Sequence, residues 1–220
     1  SFMRNCYNDN LAMDLSKAVL DTLNMDEYKA VFPDIKTDRK ASSKMSWQLD
    51  GTTISTYFGA GIKGTITGRG CNKAAILDDP IKDPEEALSE TYLDKLDLFI
   101  ETVHNTRINT TLNCAEIIIQ TRWCEKDPIG LREDDESWHK FIFPALDEKT
   151  GRSVCEAMIP TEKLLAIKNT WEKKNLGWMF QALYMCKPAD RTFAKLRLDD
   201  LKRFSMKDLE KLGNPDEVLG

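Results

Sequence analysis

The chain has 220 residues, 41% hydrophobic and 30% charged, which suits one domain, or one domain with an appendage, around a buried core. A formal net charge of −5 excludes a dominant polybasic arm for nucleic acid or a membrane surface. No apolar run approaches the roughly 20 residues that cross a bilayer, and the start, SFMRNCYNDN, lacks the shape of a secretory signal.

In chain order, Phe2–Tyr7 reads as a strand, followed by Asn8-Asp9-Asn10 as helix caps. Leu11, Leu15, Ala18, Val19 and Leu23 then form a helical stripe. Residues 33–46 are polar and basic, with Lys36, Arg39, Lys40 and Lys44, and read as a loop. Trp47–Leu49 and Thr53–Phe58 flank Asp50-Gly51 and predict a hairpin. A glycine-rich stretch, GAGIKGTITGRG, covers residues 59–70. A buried strand follows at 73–77 and ends at Asp78-Asp79. Asp83-Pro84-Glu85-Glu86 is a helix start, and that helix is expected to run to about Asn105. Ala115–Gln120 predicts a strand with a β-branched core, ending at Thr121-Arg122-Trp123. Trp138–Phe143 predicts one more strand. Thr161 is expected to cap a helix from about Glu162, with a second helix near 170–182 and short helical patches at Asp199–Phe204 and Met206–Leu212.

Strand–helix, hairpin, strand–helix, strand is the order of an α/β fold with a mostly parallel sheet. Ligands of such sheets bind at the carboxyl ends of the strands. The six cysteines are spread so that no two are closer than ten positions, and His104 and His139 stand far apart. That spacing offers no zinc hook and fits reduced thiols in a cytoplasm, most of them small core residues.

Two strand ends carry chemistry. Adjacent carboxylates at the end of a buried strand repel each other unless a cation sits beside them or one shifts its pKa. In nucleotide hydrolysis one such acid holds Mg²⁺ and the next positions the attacking water. Asp-Asp-Pro is equally a good turn whose aspartates cap a following helix, and the motif leaves both readings open. Gly68-Arg69-Gly70 offers backbone to phosphate, an arginine to a neighbouring subunit, or only a turn. Thr121 offers a hydroxyl to a γ-phosphate, or is structural beside an Arg122 stacked on Trp123.

Taken together and in order, these pieces resemble one family. The matching residues are Cys6-Tyr7, Leu11-Ala12 and Ser16, Tyr28 with Phe32-Pro33, GTITGRG, and Ile76-Leu77-Asp78-Asp79-Pro80-Ile81-Lys82. They continue through Glu86-Ala87 with Ser89, Thr106-Arg107, IIIQTRW, Asp127-Pro128-Ile129-Gly130, Phe143-Pro144-Ala145 and Phe180-Gln181-Ala182-Leu183-Tyr184. Over about residues 1–190 the chain resembles the large terminase subunit of tailed bacteriophages, in the branch whose acid motif reads DDPxK. The resemblance implies a RecA-like P-loop NTPase sheet that hydrolyses ATP with Mg²⁺ and drives duplex DNA into a procapsid. It further implies a homo-oligomeric ring on the portal, a small terminase subunit as partner, a separate nuclease domain that cuts concatemeric DNA, and the cytoplasm of a bacterial host. By this resemblance Asp78 is the metal-associated Walker B acid and Asp79 stands in the catalytic glutamate's place. Gln120, Thr121 and Arg122 form the coupling motif, with Gln120 on the nucleotide, and Arg69 is the trans-acting arginine finger.

The departures carry equal weight. No GxxxxGK[ST] loop precedes Asp78, and Lys63 in GIKGT does not open a helix and is no substitute. The chain is therefore expected to be an internal fragment. Residues 1–150 would be an ATPase core lacking its Walker A strand and loop, a sheet incomplete at its N-terminal side. Residues 151–220 would be a small helical linker subdomain, with PDEVLG at 215–220 approaching an absent nuclease domain. Asp79 is also one methylene shorter than glutamate. Two alternatives stand beside this reading. One is a non-catalytic DNA- or capsid-binding module using Lys36, Arg39, Lys40 and Lys44. The other is a carboxylate metal nuclease using Asp78, Asp79 and Asp83 or Glu85.

Overall fold

The computed structural model describes residues 1–38, 43–64 and 68–188. The patches at 199–204 and 206–212, the PDEVLG segment, Arg39, Lys40 and the TIT run at 65–67 lie outside the described residues.

The first strand, β1 (Phe2–Cys6), feeds α1 (Asp9–Asn24) and then α2 (Asp26–Val31). The side chain of Asn8 accepts the Leu11 N–H at 2.9 Å, so a short polar residue stops the strand and starts the helix. β2 (Ser46–Trp47) pairs antiparallel with β3 (Tyr57–Gly61), matching Trp47 to Tyr57. The hairpin is thus present, but its strands are shorter on one side and shifted on the other. β3 begins at Tyr57 and continues through Gly59 and Gly61, into the glycine-rich stretch. Glycine is needed at Gly61 because the start of α1 lies against the strand. A Cβ on Gly61 would stand 2.7 Å from the backbone of Asn8 and Asp9.

β4 (Ala74–Asp78) and β5 (Ala115–Ile119) complete a five-stranded sheet in the order β2-β3-β1-β4-β5, parallel except for β2. Between them the expected long helix is broken. α3 (Pro84–Leu88) ends at Ser89, whose extended backbone and hydroxyl cap α4 (Glu90–Phe99) by accepting the Tyr92 N–H. α4 runs into one π turn (Ile100–His104) and a 3-10 turn (Asn105–Arg107). The reading of 138–143 as a strand is corrected. That stretch pairs with no strand among the described residues, and Phe141 and Phe143 are 79% and 78% exposed.

One face of the sheet carries Met3, Phe58, Ala60, Ala75 and Leu77, packed with Leu93, Leu96, Phe99 and Ile100 into the main core. Removing each large apolar side chain there from water contributes roughly 1.5–3 kcal/mol. On the opposite face α1 packs chiefly on β3, where Ala12 and Ser16 allow close approach and Ser16 Oγ accepts the Trp47 indole N–H at 3.2 Å. A second apolar cluster joins Leu146, Leu164, Phe180 and Met185. It sits on α5 (Thr161–Lys173) and α6 (Gly177–Met185). Thr161 is the first helical residue rather than the cap, and the second helix starts later than the periodicity suggests, after a left-handed turn at Asn175. Trp178 and Leu183 reach from α6 to the main core. Among the described residues no helix is long and apolar enough to cross a membrane.

Candidate active site

Register brings three strand ends together. Cys6 of β1 pairs with Asp78 of β4, and Asp78 pairs with Ile119 of β5. The acidic pair and the Gln120-Thr121-Arg122 segment therefore leave neighbouring parallel strands at the same, carboxyl end of the sheet. Asp79 then turns sharply. Its φ is +45°, a left-handed conformation that costs energy in a residue with a side chain, and its N–H donates to Ile119 O at 2.8 Å. Burial first, and then the charge of Asp78, push the Asp79 carboxyl above its ordinary value.

Asp78 is buried and already holds a cation. Arg4 lies two residues before Cys6 on β1, so it shares Asp78's face of the sheet. Its Nε donates to Asp78 Oδ2 at 2.9 Å, and a terminal guanidinium nitrogen stands 2.7 Å from the same oxygen. Burial opposes the guanidinium charge, yet Asp78 holds Arg4 above its usual value. Burial, reinforced by Asp78, also pushes the Cys6 thiol up to about 12. The arginine in FMRNC was the signal for this pair. A charge at an interior position of an apolar strand needs a partner, and the register supplies one.

The remaining predicted residues divide. Gln120 follows β5, and both polar atoms of its side chain are buried without a partner among the described residues. Thr121 is half-buried beside it. Arg122 is committed elsewhere. Its Nε donates to both Asp127 carboxylate oxygens at 3.2 Å, and a terminal nitrogen donates to Glu133 Oε2 at 3.0 Å. Asp127 in turn accepts the N–H groups of Cys124 (3.3 Å) and Gly130 (2.8 Å). Asp127-Pro128-Ile129-Gly130 is thus a tight turn that clamps Arg122. A Cβ at Gly130 would stand 2.1 Å from Glu125 O, which explains the glycine. Arg69 is not near the acids. It precedes β4, at the opposite end of the sheet, with its guanidinium 5.7 Å from the centre of the Phe58 ring. Asp83 is a helix cap, accepting the Glu86 N–H at 3.0 Å, and Glu85 is exposed.

A cleft of about 540 Å³ lies along β5. Glu116, Gln120, Arg122, Arg132 and Trp138 line it, but not Asp78 or Asp79. Among the described residues no group of three or more His, Cys, Asp or Glu is placed to hold a metal. The donor set at the end of β4 is two carboxylates, one of them ion-paired. It fits a hydrated Mg²⁺, which keeps several waters and takes one or two carboxylates plus substrate phosphates, and does not fit a dehydrated all-protein cage. Arg4 already shows that Asp78 accepts a positive charge in place.

No protein-family model matches the chain, and no curated protein matches it.

Proposed function

We propose that this chain is the part of a viral DNA-packaging ATPase that follows its phosphate-binding loop, a RecA-like core joined to a helical linker. The observation that carries the reading is the placement of Asp78-Asp79 and Gln120-Thr121 at adjacent carboxyl ends of β4 and β5. Supporting it are the parallel sheet, the left-handed strain at Asp79 and the ordered motifs of the DDPxK terminase branch.

In this function Mg²⁺ supplies charge neutralisation on the β- and γ-phosphates of ATP. Asp78 would hold the hydrated ion, with Arg4 sharing or leaving Oδ2. Asp79, with its raised pKa, orients the attacking water and takes its proton. Gln120 and Thr121 sense the γ-phosphate, while Arg122, clamped by Asp127, transmits their movement to the turn at 127–130. Arg69, at the far end of the sheet, serves a nucleotide only on a neighbouring subunit of a ring. Duplex DNA is the cargo, and the portal and small terminase subunit are the partners.

The reading frame upstream of Ser1 tests this directly. A GxxxxGK[ST]-type loop encoded there is expected. The polypeptide that includes it is expected to hydrolyse ATP with Mg²⁺ and to lose about 100-fold or more in kcat on Asp79→Asn. An upstream frame without such a loop, or an Asp79→Asn variant that keeps full ATPase activity, overturns the proposal.

A second reading rests on the Arg4–Asp78 pair. If the guanidinium is a permanent counter-ion, the acids are structural and the chain is a non-catalytic binding module. Absence of Mg²⁺-dependent ATPase activity in the longer polypeptide, with Asp78→Asn lowering only its stability, favours that reading.

A further inference from the structure

The spacing of the cysteines along the chain gives no sign of a pair, yet the fold makes one. Cys71 lies just before β4 and Cys114 immediately before β5, separated by 43 positions in sequence, and their Sγ atoms are 3.6 Å apart. Cys71 is held by backbone bonds of its own, and Cys114 through its neighbour Ala115. Cys71 N–H donates to Arg107 O at 2.8 Å, Asn109 N–H donates to Cys71 O at 2.9 Å, and Ala115 N–H donates to Lys73 O at 3.0 Å. A disulfide needs about 2.05 Å between sulfurs, so closing this pair takes roughly 1.5 Å of side-chain movement and no change of strand register.

We propose that Cys71 and Cys114 are a reversible oxidation site that forms an intramolecular disulfide with a low-molecular-weight disulfide, such as oxidised glutathione, as oxidant. The two thiols differ in role. Cys114 is half-exposed, whereas Cys71 is 1% exposed, and burial, together with Cys114, pushes the Cys71 thiol up to about 12. Cys114 is therefore the attacking thiol. Its thiolate displaces one thiolate from the oxidant and becomes a mixed disulfide. Cys71 then loses its proton and attacks Cys114 Sγ, breaking the mixed S–S bond and releasing the second thiolate. The protein loses two protons and two electrons, and the oxidant becomes two small thiols. The bridge ties the starts of β4 and β5, at the end of the sheet opposite Asp78 and Gln120. It depends only on these two side chains and stands whatever the chain's activity.

The test treats the reduced full chain with oxidised glutathione, blocks residual thiols, and maps peptides by mass spectrometry without reduction. The expected result is a linked peptide pair containing Cys71 and Cys114, about 2 Da lighter than the two reduced peptides together, and reversal by dithiothreitol. Thermal unfolding of the oxidised chain is expected to shift upward by about 5 °C or more. Cys114→Ser is expected to leave Cys71 unmodified. The proposal is overturned if both cysteines remain alkylatable after oxidation, or if Cys114 stops as a stable glutathione adduct. Mapping of the unmutated chain decides the matter even if a Cys71 variant fails to fold.

Discussion

Asp79 sits in a left-handed backbone conformation, φ +45°, that aspartate tolerates better than most residues but that glycine adopts without cost. Asp79→Gly is expected to stabilise the fold by about 1 kcal/mol, read as a higher urea midpoint at pH 7. Part of the gain is electrostatic. The raised pKa of this carboxyl means that its charged form is disfavoured in the folded state, a penalty present at neutral pH and relieved as pH falls through the folded value. The strain of Asp79, at a strand end next to another acid, is one observation that motivates the role proposed for it. His104 behaves oppositely. It is buried, its Nδ1–H donates to Asn5 Oδ1 at 2.9 Å, and Asn5 Nδ2 donates to Ala60 O, while Nε2 is buried with no acceptor for a second proton among the described residues. Burial, with the charge of Arg132 adding, lowers it from 6.5 to about 4. The stability this represents is present above pH 6.5 and is lost as pH falls toward 4, about 3 kcal/mol over that window. Denaturant unfolding from pH 8 to 4 is expected to show this slope in the native chain and a shallower one in His104→Gln. The acids of the candidate site were legible in the sequence because a charged pair interrupts an apolar run. Asn5 and His104 were not, because their meaning lies in a contact across 99 positions.

At the level of elements, local signals worked where one residue dictates local geometry. Asn8 capping α1 and Asp83-Pro84 opening α3 are such cases. They failed where a neighbour decides. Gly59 and Gly61 belong to a glycine-rich stretch but lie in β3, and at Gly61 the start of α1 takes the space a side chain would need. Phe141, Ile142 and Phe143 have strand composition, but among the described residues no strand offers them a ladder. β5 reads as a strand with a β-branched core, yet it forms one edge of the described sheet, with Ile117 and Ile119 at 40% and 50% exposure. The Asp127–Gly130 turn gives a quantitative check. Asp127→Ala removes the inner partner of a buried guanidinium and the acceptor of two backbone N–H groups, with an expected cost of about 3 kcal/mol. Glu133→Ala removes the exposed outer partner and is expected to cost under about 1 kcal/mol. Parallel guanidinium unfolding curves distinguish the two. Equal losses would mean that Arg122 is not held as described.

For the molecule as a whole, nucleotide affinity is the decisive property. The chain contains no GxxxxGK[ST] segment. Hydrogen bonds to charged groups are worth roughly 1.5–3 kcal/mol each, so lacking even three phosphate donors removes several orders of magnitude in affinity. Isothermal titration of the 220-residue chain with Mg·ATP is expected to show no binding tighter than about 1 mM. Micromolar binding would place a complete phosphate site within these residues. The alternation of strands and helices, the parallel sheet they form and the acidic end of β4 follow from the sequence by itself, because each depends on side-chain periodicity, caps and charges within a few residues. Only the tertiary structure decided that Arg4 occupies Asp78, that Arg122 is bound to Asp127, that Arg69 lies at the far end of the sheet, and that Cys71 meets Cys114. Those pairings depend on strand order and register, and the free energy that sets register is summed over the whole buried face rather than written at any one position.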